Sequence, residues 1–105
     1  MKVIELTADS FEDEVLKSDV PVMVDFYSTY CGPCKMFSKI VDQVAEEMEG
    51  VKICKLNIDD AQDIALRRGI TAVPTVMFFK NGEEKERCTG MQAKCRLNGT
   101  LTKLK

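Results

Sequence analysis

"VMVDFYSTYCGPCKMF", residues 22–37, decides how the rest of this chain is read. Its first six residues are apolar except for Asp25, and a run apolar on both faces suits a central strand covered on each side. Two cysteines follow, Cys31 and Cys34, with Gly32 and Pro33 between them. From there Phe37, Ile40, Val41, Val44 and Met48 recur at the three–four spacing of a buried helix face, and Gly50 is the expected stop. The cysteine pair therefore falls where the carboxyl end of a central strand meets a helix N-terminus. In open α/β sheets that is where sites form.

Working outward, "VIEL" at 3–6 reads as a short strand. Ser10 is the expected cap of a helix in which Phe11, Val15 and Leu16 share a face up to Ser18. "VKICKLNI" at 51–58 is a further strand. Asp59 or Asp60 should then cap a short helix burying Ala61, Ile64 and Ala65 and closed by Gly69. "TVMFF" at 75–79 is a strand, Asn81-Gly82 is a strong hairpin signal, and the return strand runs roughly from Glu84 to Cys88. Leu97, Leu101 and Leu104 mark a last helix, which Asn98-Gly99 weakens by about 1 kcal/mol. Strand–helix alternation implies parallel strands with right-handed crossovers, and the hairpin adds an antiparallel edge. The expected architecture is a three-layer α/β/α sandwich with a mixed sheet of about five strands and four helices. No repeat, low-complexity tract or linker divides it, so residues 1–105 read as one domain.

Composition removes several classes of function. There is no histidine, which rules out imidazole metal sites and Ser-His or Cys-His dyads. A net charge of −2 gives no general pull towards nucleic acid or an anionic membrane, and no run approaches the length of a membrane span. The opening "MKVIELTADSF" carries Glu5 and Asp9 where a secretory signal would need an unbroken apolar stretch, so a cytoplasmic protein is expected. Five cysteines is an odd number, and an all-disulfide framework would leave one over.

Three chemistries remain open to the pair. A tetrahedral zinc site commonly takes two close cysteine pairs, and only one exists here, so no metal is expected. A structural disulfide over so small a loop restrains the unfolded chain little. Redox exchange fits best. Cys31 lies near the cap of the long helix, where unpaired amides and the helix dipole favour a thiolate. Pro33 is tolerated in the first turn and stiffens it. Cys34, three positions on and deeper, can face Cys31 and resolve a mixed disulfide. No cationic side chain stands between them, so the dithiol form should not be unusually stable, and such a pair tends to give electrons. Asp25 joins the candidates. A carboxyl inside an apolar strand is desolvated, its pKa rises, and it becomes a proton acceptor near neutrality. The plainer reading is a buried acid paired with Lys55 for fold specificity.

"VDFYSTYCGPCK", "KLNID", "VPT" and "FKNG", in this order and spacing, resemble the thioredoxin family along nearly the whole chain. The resemblance implies the thioredoxin fold and protein-disulfide reductase activity. It makes Cys31 the attacking thiol and Cys34 the resolving one, Asp25 the buried acid below the site, and Lys55 the lysine near it. It implies a cis bond before Pro74, facing the cysteines, and a substrate groove rimmed by Tyr30, Val73, Thr89 and Gly90. Its partners would be a thioredoxin reductase as electron donor and disulfide-containing proteins as substrates, with no cofactor and a monomeric carrier. The chain departs from the family at Tyr30, where a tryptophan is usual, and its ring is expected to cover the same apolar patch. It departs again at Lys39, where a proline usually kinks the active-site helix, so a straighter helix is expected.

The other three cysteines read more plainly. Cys54 should be a small core residue, Cys88 should lie near the end of an exposed strand, and Cys95 should point about 200° away from Leu97 on the last helix. The competing function is a binding module whose rim docks a partner while the cysteines stand by.

Overall fold

The computed structural model describes residues 2–105. Its five strands are β1 (Val3–Leu6), β2 (Val22–Tyr27), β3 (Lys52–Asn57), β4 (Thr75–Lys80) and β5 (Glu83–Thr89). They lie side by side in the order β1-β3-β2-β4-β5. The long helix α1 is Gly32–Glu47, α2 is Gln62–Arg68 and α3 is Lys94–Leu104, with a π-helical segment at Glu12–Leu16. Because side chains alternate along a strand, β2 sends Val24 and Phe26 to one face and Met23 to the other. Phe11, Val15, Leu56, Met77 and Phe79 close the first face, while Phe37, Val41, Val44, Phe78, Leu97 and Leu101 close the second. Each such large side chain, fully buried, contributes about 1.5–3 kcal/mol. These two cores make the three-layer sandwich, and α1 and α3 cover the face on which Asp25 points.

The direction of β4 differs from expectation. β1, β3 and β2 are parallel, but β4 runs antiparallel to β2, and β5 antiparallel to β4. The cause is the connection. Seven residues of α2 rise only about 10 Å at 1.5 Å each, half the length of a six-residue strand, and the chain re-enters the sheet at the end where β3 finishes instead of crossing back. Thr75 accordingly pairs with Phe26, beside the end at which β3 has just finished.

Local chemistry corrects three element ends. Ser10 does not cap the helix: its amide donates to Thr7 Oγ1 (3.1 Å) and the Thr7 amide donates to Ser10 Oγ (2.9 Å), a reciprocal pair in the turn before a segment that has no side-chain cap. The following turn then widens, with the Lys17 amide bonding the Glu12 carbonyl five residues back. Neither Asp59 nor Asp60 caps α2, which starts after Ala61 without a side-chain cap; Asn57 instead accepts from the Asp59 amide. And α1 ends at Glu47 on an extended Met48, before Gly50 is reached.

Elsewhere the reading holds. Gly69 closes α2 in the left-handed region at φ 69°, and Asn81 and Gly82 (φ 54° and 80°) make the tight hairpin turn. Asn98-Gly99 sits inside an unbroken α3, because the burial of Leu97 and Leu101 outweighs a weak local preference. No helix among the described residues is long and apolar enough to cross a membrane.

Candidate active site

Cys31 is the N-cap of α1, in an extended conformation, with Gly32 and Pro33 forming the first two helical positions. Its sulfur accepts the Cys34 amide at 3.1 Å, and Cys31 and Cys34 are joined by a disulfide. Proline at this place gives up only an amide that the helix could not have used. Both cysteines are buried, Cys34 the deeper as expected. Cys31 is 8 % exposed and Cys34 3 %, so the order of accessibility stands but Cys31 is not an open thiol.

Pro74 follows a cis bond from Val73 and is buried at the start of β4, at the same end of the sheet as the cysteines. The Gly90 amide donates to the Pro74 carbonyl (2.7 Å), while Thr89 pairs with Thr75, so the turn after β5 is tied to the proline. Val73 and Gly90 are half-buried and Thr89 exposed. Tyr30 is 96 % exposed: its ring covers no apolar patch, contrary to expectation, and stands free beside the cysteines. The α1 helix runs unbroken through Lys39.

Asp25 is fully buried on the α1 face of β2, and neither of its oxygens has a hydrogen-bond partner. Burial pushes its carboxyl up to about 7; the Lys55 ammonium pulls it down, and Glu5 and Asp42 push it up again. Lys55 lies directly opposite it on β3. Its ammonium does not pair with Asp25, however. It donates to Ser38 Oγ and to Asp42 Oδ1 (2.7 Å), both on α1. The plainer reading, a buried Asp25–Lys55 ion pair, is thereby set aside in favour of an uncompensated acid.

Beside these groups a cavity of about 180 Å³ is lined by Glu5, Tyr27, Ser28, Cys34, Lys35, Ser38 and Lys55. Glu5, Tyr27, Ser38 and Asp42 were not legible as site residues. The one signal for the helical pair is that Ser38 and Asp42 are four apart and so share a helix face. Nothing in a single sequence aligns that face with Lys55.

The remaining cysteines divide. Cys54 is in the core, where burial holds its thiol up at about 12 and therefore inert. Cys95 is exposed. Cys88 is not exposed but buried against α3, because its place in β5 alternates inward; Arg96 donates to its sulfur at 3.3 Å. Among the described residues no three His, Cys, Asp or Glu side chains gather as a metal ion would need.

A cystine bridging the first turn of a helix can accept two electrons from a dithiol and, once reduced, pass them to another disulfide. By class the protein is a thiol–disulfide oxidoreductase. The thioredoxin family profile matches residues 2–103. The chain is 46% identical to a thioredoxin of Rickettsia felis over 93% of its length and 94% of that protein's. It is 45% identical to a thioredoxin of Porphyra purpurea over 98% and 97%, and 43% identical to one of Pseudomonas aeruginosa over 94% and 93%. The chain belongs to the thioredoxin family and acts as a protein-disulfide reductase.

Proposed function

We propose that Cys31 attacks, Cys34 resolves and Asp25 takes the proton between them. In the reduced form the Cys31 thiolate attacks one sulfur of a substrate disulfide, forming a mixed disulfide and expelling the first substrate thiolate. Cys34 gives its proton to Asp25 and attacks the Cys31 sulfur, expelling the second. The substrate gains two electrons and the protein is left with the Cys31–Cys34 bond. A thioredoxin reductase then supplies two electrons to restore the dithiol. The observation that carries this order is the capping geometry: Cys31 takes the amide that stabilises negative charge, and Cys34 is the deeper of the two. Val73, Thr89, Gly90 and the free Tyr30 ring form the surface that holds the substrate chain. Lys55 moderates Asp25. The protein works as a monomer in the reducing cytoplasm, without cofactor or metal, and with neither nucleic acid nor membrane as partner.

The test is covalent trapping. Cys34→Ser should accumulate mixed disulfides with protein substrates and Cys31→Ser should accumulate none; equal trapping by both rejects the order. Reduction of insulin disulfides should be lost in both variants. If the wild type shows none, the rim is a docking surface without turnover.

A further inference from the structure

One row of residues crosses the sheet beneath α1. Glu5 on β1 is opposite Lys55 on β3, and Lys55 is opposite Asp25 on β2, with Val76 on β4 beyond. Strands about 4.8 Å apart put Glu5 roughly 10 Å from Asp25 at the backbone. Glu5 does not use the ammonium next to it. Its carboxylate accepts the Tyr27 hydroxyl at 2.7 Å, and Tyr27 lies two residues beyond Asp25 on the same face of β2. Burial, and then the Glu5 carboxylate itself, hold the Tyr27 phenol far above its usual range, so it remains a donor throughout the working pH. Meanwhile Lys55 is committed to Ser38 and Asp42. Glu5, Tyr27, Lys55, Ser38 and Cys34 all line the same cavity, which is roomy enough for water.

We propose that Glu5, tethered by the Tyr27 hydroxyl, is a positioning residue for the exchange reaction: its fixed negative charge makes Asp25 a stronger acceptor, which takes the Cys34 proton and holds it while Cys34 attacks. The proposal rests on Asp25 being the acceptor for the Cys34 proton. The charged and titratable groups acting on Asp25 come from the neighbouring elements: Glu5 from β1, Tyr27 from β2, Lys55 from β3 and Asp42 from α1, while β4 offers only the apolar Val76. Glu5 is exposed, so its effect is screened by water, is modest, and depends on salt. A hydrogen bond that merely fastened β1 to β2 would leave the titration of Asp25 where it is.

The experiment follows the Asp25 carboxyl in the disulfide form by infrared difference or carbon NMR titration, in wild type, Glu5→Gln and Glu5→Lys, at low and high salt. Glu5→Gln should lower the Asp25 midpoint by about 0.3–0.6 pH unit at low salt, and Glu5→Lys by about twice that. Both differences should shrink in high salt. The pH profile of the resolution step should move down with them, and Glu5→Gln should leave that profile unchanged when Asp25 is already Asn. No shift at low salt, a shift indifferent to salt, or equal shifts in the two variants overturns the proposal. If Asp25→Asn alone leaves resolution untouched, Asp25 is not the acceptor and Glu5 has no catalytic role, even where the titration shift is present.

Discussion

Asp25 and Lys55 face each other across the β2–β3 ladder, yet the Lys55 ammonium donates to Ser38 and Asp42 and leaves both Asp25 oxygens unpartnered. A buried carboxyl that is denied its nearest cation must hold a proton or destabilise the fold. This relation governs both how the site works and what it costs.

The cost should be visible in stability. With a folded-state pKa of about 7 against 3.8 for a free carboxyl, the folded protein binds the Asp25 proton more tightly than the unfolded chain does. Stability from this group is therefore greatest below about pH 4, falls as pH rises and levels off above about pH 7, for a loss on the order of 4 kcal/mol. Asp25→Asn removes the penalty. Urea unfolding should show the variant gaining little over wild type in acid and most above neutrality. A gain independent of pH would mean that Asp25 does not titrate in this range.

Lys55 should matter in the opposite sense. Lys55→Met removes the cation that pulls Asp25 down and takes away the Asp42 ion-pair partner. The Asp25 midpoint should rise by about one pH unit. Resolution by Cys34, followed by stopped flow, should slow at neutrality and recover at higher pH, while attack by Cys31 changes little. A downward shift would show that Lys55 acts through packing.

Gly82 tests the fold without touching the site. Its φ of +80° suits glycine, and a Cβ there would lie 2.8 Å from the Leu16 carbonyl oxygen of the π-helical segment. The hairpin turn is at the end of the sheet away from the cysteines. Gly82→Ala should cost about 1–3 kcal/mol in denaturant unfolding. Turnover per folded molecule should stay at the wild-type level.

Tyr30 separates substrate docking from chemistry. Because the ring is free of the fold, Tyr30→Ala should change stability by less than about 0.5 kcal/mol. Reduction of a protein disulfide should weaken several-fold through KM, whereas reduction of a small aromatic disulfide should be unaffected. Equal loss with both substrates would place the effect on the cysteines.

The sequence by itself determined what local spacing can carry. Apolar runs and their periods named four of the strands and the faces of α1 and α3. Asn81-Gly82 named the hairpin, and Cys31-Gly32-Pro33-Cys34 at a strand-to-helix junction named the chemistry. These depend on residues a few positions apart, where backbone geometry alone sets which side chains meet. Tertiary structure decided the rest. The path of the chain between β3 and β4 made β4 antiparallel, and inward alternation buried Cys88 while Tyr30 was left in solvent. Above all, it set one row of Glu5, Lys55 and Asp25 across three strands, with Ser38 and Asp42 of α1 claiming the lysine. Those partners lie 13 to 50 residues apart, and only strand register and helix placement fix which charge reaches which. A buried acid in an apolar strand is readable from its neighbours in sequence; whether a cation answers it is settled by the fold.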